Sequence, residues 1–123
     1  MALQPEFVKW LEDLFSVVPD THVKKMFGGV GVFRHGIMYG LALSDGRISL
    51  KADDETIADF KAESCEEWTY QRKNGKLTTM GYWYIPERLT DDSEELLNWS
   101  MKAFEVAVRA DSKKPPSQRK LKT

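Results

Sequence analysis

Four sets of residues in this chain have types and spacings from which chemistry is usually built. The first is Gly28-Gly29-Val30-Gly31, which invites comparison with a phosphate-cradling loop. Such a loop needs a helix N-terminus directly after it, and here alternating apolar residues continue as a strand, with no Gly-Lys-Ser/Thr. The glycines instead suit a strand that bulges, or one that lets another element approach its backbone. The second set is His22 and His35, the only histidines. Neither has a His, Cys or carboxylate at metal-ligand spacing, so no zinc site or nucleophile–base pair forms around them. The third is Cys65, the single cysteine, flanked by Glu63, Glu66 and Glu67. It can form no intrachain disulfide, and the negative charges disfavour its thiolate. The fourth is the aromatic series Trp68, Tyr70, Tyr82, Trp83 and Tyr84 beside Arg72, Lys73 and Lys76. This looks like a single-strand nucleic-acid surface, but strand alternation must turn half of the rings inward. Asp53, Asp54, Glu55, Asp91, Asp92, Glu94 and Glu95 gather at helix starts, where capping explains them. Catalytic residues, a metal site and a cofactor are therefore not expected. Lys51, Arg72, Lys73 and Lys76 are the candidate partner-binding residues.

The elements that must position these residues follow from periodicity. Phe7, Leu11, Leu14 and Val18 recur at helical spacing after Pro5, and Pro19 stops that helix. Three strands follow. The first holds Phe27 to Phe33, the second Ile37 to Leu43 after the His35-Gly36 turn, and the third Arg47 to Lys51 after Asp45-Gly46. Asp53 and Asp54 can cap a short second helix carrying Ile57 and Phe60 and ending near Ser64. Trp68 to Arg72 and Leu77 to Ile85 flank Asn74-Gly75 as a hairpin. A last helix spans about Asp92 to Ala110, with Asp91 and Glu94 as a cap-like pair. Its apolar arc is wide: Leu97, Met101, Phe104 and Val108 lie beside Leu96, Ser100, Ala103 and Ala107, and Trp99 and Val106 extend it. One sheet face rarely covers so much. Either a second helix packs on it or another subunit does, which makes Trp99 and Val106 a candidate homodimer face.

The order α-β-β-β-α-β-β-α, with mostly antiparallel strands and helices on one side, predicts an α+β two-layer sandwich with a five-stranded sheet. At 123 residues, a single domain over 1–110 is expected, with a flexible basic tail over 111–123. Five of the 18 basic residues, Lys113, Lys114, Arg119, Lys120 and Lys122, fall in that tail, leaving 13 against all 19 acids in the body. The asymmetry reads first as a solvated C-terminus and second as a nucleic-acid-binding arm. No apolar run is long enough to cross a bilayer, and the N-terminus lacks the pattern of a signal peptide. A cytoplasmic protein with no membrane partner is expected.

The chain resembles the N-terminal domain of the TfoX/Sxy family of competence regulators. The resemblance rests on Met26-Phe27-Gly28-Gly29 with Gly31, Gly36-Ile37-Met38-Tyr39, Asp45-Gly46-Arg47, and Leu50-Lys51 before Asp53-Asp54. Met80, Tyr82, Tyr84-Ile85-Pro86 and the last helix with Trp99 and Ala107 continue it, over roughly residues 8 to 110. It implies an α+β fold of the kind seen in secretion chaperones. It also implies a non-enzymatic role in transcription of DNA-uptake genes, with transcription machinery or a cyclic-AMP receptor-type regulator as partner. Full-length regulators of this family carry a second, helix-hairpin-helix domain, so the chain is expected to be a stand-alone N-terminal domain. Direct nucleic-acid binding through the tail is the alternative, and a small-ligand binder or enzyme with a pocket between sheet and helix is a third reading.

Overall fold

The computed structural model describes residues 5–26, 29–43, 46–71, 74–75, 77–114 and 117. Helix α1 (Pro5–Leu14) continues into a 3-10 turn over Phe15–Val17. Pro19 ends it as expected, and Asp20 makes the corner in a left-handed conformation (φ 59°).

A strand then begins that the periodicity does not announce. β1 (Thr21–Met26) precedes β2 (Gly29–Arg34), β3 (Ile37–Leu43) and β4 (Ile48–Lys51) in a meander. Helix α2 (Ile57–Ala62) leads to the hairpin β5 (Glu67–Gln71) and β6 (Leu77–Tyr84). The chain closes with a 3-10 turn over Glu87–Asp91 and the long helix α3 (Ser93–Ser112). The sheet thus has six strands in the order β1-β2-β3-β4-β6-β5, every neighbouring pair antiparallel. The expected five-stranded sheet is corrected by one edge strand. β1 was unreadable because His22, Lys24 and Lys25 leave only Val23 and Met26 to mark alternation.

Alternation also breaks inside the sheet. The register shifts between Val32 and Phe33, so Val32 faces Gly40 while Phe33 faces Met38. This bulge turns Ile37 and Tyr39 to the helical side, and beyond it Ala42 takes that side while Leu41 and Leu43 face away. The helical side holds the core. Val30, Val32, Tyr39, Leu50, Leu11, Phe15, Leu89 and Leu96 are essentially inaccessible. Phe15 and Phe104 meet the Tyr39 ring edge-on, each at 6.3 Å.

Helix α3 packs over β3 and β4 and is flanked by both 3-10 turns. Asp92, not Asp91, caps it: its carboxylate accepts from the Glu95 N–H at 3.1 Å. Part of the wide arc of α3 is covered from within the chain, while Leu97, Met101 and Val108 stay half-buried. Phe60 of α2 meets Trp99 edge-on at 5.0 Å, and Ser100, Ala103, Val106 and Ala107 are all buried. Asp53 does not cap α2. Its carboxylate accepts from the Glu55 N–H and from Arg109 of α3, which it pairs with at 2.9 Å. That ion pair ties the loop after β4 to the last helix.

Candidate functional site

Strand register places two sets of side chains on opposite faces of the sheet, because directly opposed residues in an antiparallel pair share a face. One face is the core. The other carries no helix among the described residues, and three cross-strand rows build it. Lys24, Gly31, Leu41, Ser49 and Tyr84 stand side by side from β1 to β6. His22, Phe33 and Met38 form a second row, and Met26, Gly29 and Leu43 a third. Lys51 and Tyr82 face each other nearby.

Small residues in the middle of these rows leave a hollow that their neighbours fill. A Cβ placed on Gly31 would lie 2.7 Å from the Phe33 ring and 2.8 and 2.9 Å from the sulfurs of Met26 and Met38. Ser49 is fully buried, and its hydroxyl donates to the Leu41 carbonyl at 2.9 Å. His22 stacks on Phe33 at 5.5 Å with rings 11° from parallel. The guanidinium of Arg47 lies 3.4 Å above the Tyr84 ring, and Lys51 Nζ lies 4.9 Å from the centre of the Tyr82 ring. Both are cation–π contacts. The Tyr82 hydroxyl reaches across β4 to donate to the Met38 carbonyl at 3.5 Å. Burial holds the Tyr82 hydroxyl well above the usual phenol range. Burial also lowers Lys51, and the positive charge of Lys114 lowers it further.

The other candidate residues take several positions. Lys51 sits on the open face, half-buried. Arg72, Lys73 and Lys76 lie outside the described residues, as do Arg119, Lys120 and Lys122, and also Phe27, Gly28 and Asp45 of the matching motifs. Lys113 and Lys114 are exposed just past α3, and Lys114 Nζ is 3.8 Å from Asp111. Trp99 is half-buried against Phe60. Val106 is 2% exposed within the single chain, so it offers no area to a second copy. His22, Lys24 and Met26 of the open face escaped sequence reasoning because their strand did. The alternation of His22, Lys24 and Met26 about Val23 is the only signal that could have found them.

Three clefts lined by described residues can be compared. The largest, about 530 Å³, lies between the first helical segment and β1 and is lined by Glu12, Phe15, Val18, Asp20 and His22 among others. A second, about 190 Å³, is bounded by Trp10, Arg47, Tyr84 and Glu87, and a third, about 220 Å³, by Glu55, Asp59, Lys102 and Arg109. Ser16, Thr21 and His22 all line the first cleft, but the Ser16 hydroxyl donates to the Asp13 carbonyl at 2.6 Å and the Thr21 hydroxyl is bonded to the Tyr39 hydroxyl at 2.9 Å. Cys65 is held above its usual range by burial and then by Glu63, which suits an inert thiol. No group of three or more metal-ligating side chains occurs among the described residues. Nor is any described helix long and apolar enough to cross a membrane.

A three-helix, six-stranded α+β unit with this open sheet face defines a class. The chain belongs to the TfoX N-terminal domain family, which it matches over residues 13–107, from within α1 to within α3. It is 29% identical over 100 residues to the DNA transformation protein TfoX1 of Aliivibrio fischeri (strain ATCC 700601 / ES114). That alignment covers 80% of this chain and 47% of the relative, so the chain spans about half the length of the curated protein it matches.

Proposed function

We propose that this domain is a non-catalytic regulator of DNA-uptake gene transcription that works through protein contacts. Its partner would be transcription machinery or a cyclic-AMP receptor-type regulator, as the family resemblance implies. The observation that carries the reading is the open sheet face. An apolar and methionine-rich centre with cations around it has the composition of a protein interface, whereas in the clefts lined by described residues no nucleophile is hydrogen-bonded to a base. The relative's name, a DNA transformation protein, supports the process assigned.

The test is a titration of the full chain against a purified cyclic-AMP receptor protein from a naturally competent bacterium, read by sedimentation velocity. A reporter for DNA-uptake gene transcription is run in parallel. A defined complex and a changed reporter are expected. No complex at tens of micromolar together with an unchanged reporter would overturn the proposal.

A further inference from the structure

We propose that the open face of the sheet docks an acidic segment of a partner protein, with apolar residues at its centre and carboxylates at both ends. This rests on the reading above that the domain works through protein contacts, and it names the chemistry of the contact.

Charge is the first argument. None of the paired positions on this face of β1 to β4 and β6 is acidic. The cations stand on two sides: Lys24 along the β1 edge, and Arg47 with Lys51 along β4. The carboxylates are elsewhere, including Asp53, Asp59, Glu63 and Glu95, each paired with a base. In a chain of net charge −1, the paired positions of this face thus carry cations and no carboxylate among the described residues, with Glu87 near Arg47 only at the rim, in the cleft beside Tyr84. Complementarity of this kind selects an anionic partner and suppresses the wrong ones.

The second argument is the centre. Between the two cationic sides lie Phe33, Met38 and Leu43, with Met26 at the end of β1 beside them, each half-buried with no described helix above it. The sulfurs of Met26 and Met38 close over Gly31. Methionine side chains rotate about three bonds and repack against differently shaped partners. A partner can therefore move them outward and enter the hollow over Gly31.

The third argument decides between an acidic peptide and a single-stranded nucleic acid. A single-strand binder presents ring faces on which bases stack. Here those faces are occupied: Arg47 covers Tyr84, Lys51 leans on Tyr82, which is only 3% exposed, and His22 lies on Phe33. Along β1 to β4 and β6, what these contacts leave accessible is aliphatic, thioether and ring edge, with the exposed His22 ring and the cations at the rim. The row from Lys24 to Tyr84 crosses four strand spacings, about 19 Å. An extended chain of about six residues covers that distance at about 3.3 Å per residue.

The test uses the full chain and three fluorescein-labelled probes: an octapeptide with four apolar residues between two glutamate pairs, an octaglutamate, and a dT octamer. Anisotropy should show the mixed octapeptide binding at least tenfold more tightly than octaglutamate. The double variant Lys24→Glu/Arg47→Glu changes two exposed side chains and should weaken that binding at least tenfold. Its melting temperature is measured alongside, and each single variant serves if the pair fails to fold. Equal binding of the two peptides would overturn the apolar centre. Tighter binding of dT would make the face a nucleic-acid surface. Unchanged affinity in the charge-reversed variants, or no peptide binding at all, would also sink the inference. If the peptide fails while the regulator complex forms, the contact lies on another surface. If the peptide binds and that complex does not form, the face stands and the regulator is wrong.

Discussion

Two glycines one turn of the pleat apart should respond oppositely to the same added methyl group. A Cβ on Gly29 would lie 2.8 Å from the carbonyl oxygen of Ala42 on the neighbouring strand. That oxygen is backbone within the β2–β3 ladder and cannot rotate away, so β2 and β3 must separate. Overpacking of this kind costs about 1–3 kcal/mol, and the reduced freedom of the unfolded chain returns about 0.4–1 kcal/mol. Gly29→Ala should therefore be destabilised by about 1–2 kcal/mol net. Gly31→Ala brings a Cβ equally close to its neighbours, but these are the Phe33 ring edge and two thioether sulfurs. All are side-chain ends on a face with no helix over it, so they can swing outward. Its stability should stay within about 0.5 kcal/mol of the parent. Urea unfolding followed by tryptophan fluorescence gives both values, with equal m-values as the check that the unfolded states match. If Gly31→Ala proves the more destabilised of the two, the distinction between backbone and side-chain neighbours is wrong, and the face is more rigid than described.

Other outcomes follow from the same geometry. Leu96→Ala removes a fully buried side chain under α3 and should cost about 2–5 kcal/mol in the same assay. Burial pushes Tyr39 up to about 12, against hydrogen-bonding from Thr21 and the charge of Arg34. The neutral phenol is thus the folded form while the unfolded chain ionises near pH 10. The Tyr39 contribution is then full below about pH 10 and falls by about 2–3 kcal/mol as pH rises to 12; Tyr39→Phe should remove that share of the alkaline slope and leave the share of Tyr82, which burial also raises. Trp99→Ala should lower the melting temperature by the same amount at 5 and 200 µM protein. A loss that grows with concentration would place Trp99 in a dimer seam after all. Ending the chain at Ser112 should leave duplex-DNA anisotropy unchanged at physiological salt; a large loss would favour the basic tail as a nucleic-acid arm.

Strongly periodic or punctuated segments were legible from the residues. Phe7, Leu11 and Leu14 announce α1, the His35-Gly36 turn announces the β2–β3 hairpin, and the paired rows of α3 announce a long helix. β1 was hidden because an edge strand needs only one buried side, and its lysines are the means by which edges avoid pairing with other chains. The 3-10 turn over Glu87–Asp91 was hidden too, since Leu89 is its single core residue. The function of Asp53 was misread because Asp at a helix start suits a cap, and the competing partner, Arg109, is 56 positions away. The open face was half legible. Tyr82 and Tyr84 share a side by alternation, but the convergence of Met26, Phe33 and Met38 on Gly31 depends on register across three strands, which no local pattern reports.

Strand order carries a kinetic consequence. Every neighbouring pair in the sheet is joined by a short connection except β4 with β6, between which α2 and β5 intervene. Closing that one seam costs the loop entropy of a long intervening segment, while the β1–β4 meander forms from contacts near in sequence. Ser49–Tyr84, Leu50–Trp83 and Lys51–Tyr82 are then the last pairings made and the first released. In native-state hydrogen exchange, the amides shared by β4 and β6 should open together, at lower free energy than those of β2 and β3. The aromatic half of the open face would come and go as one unit.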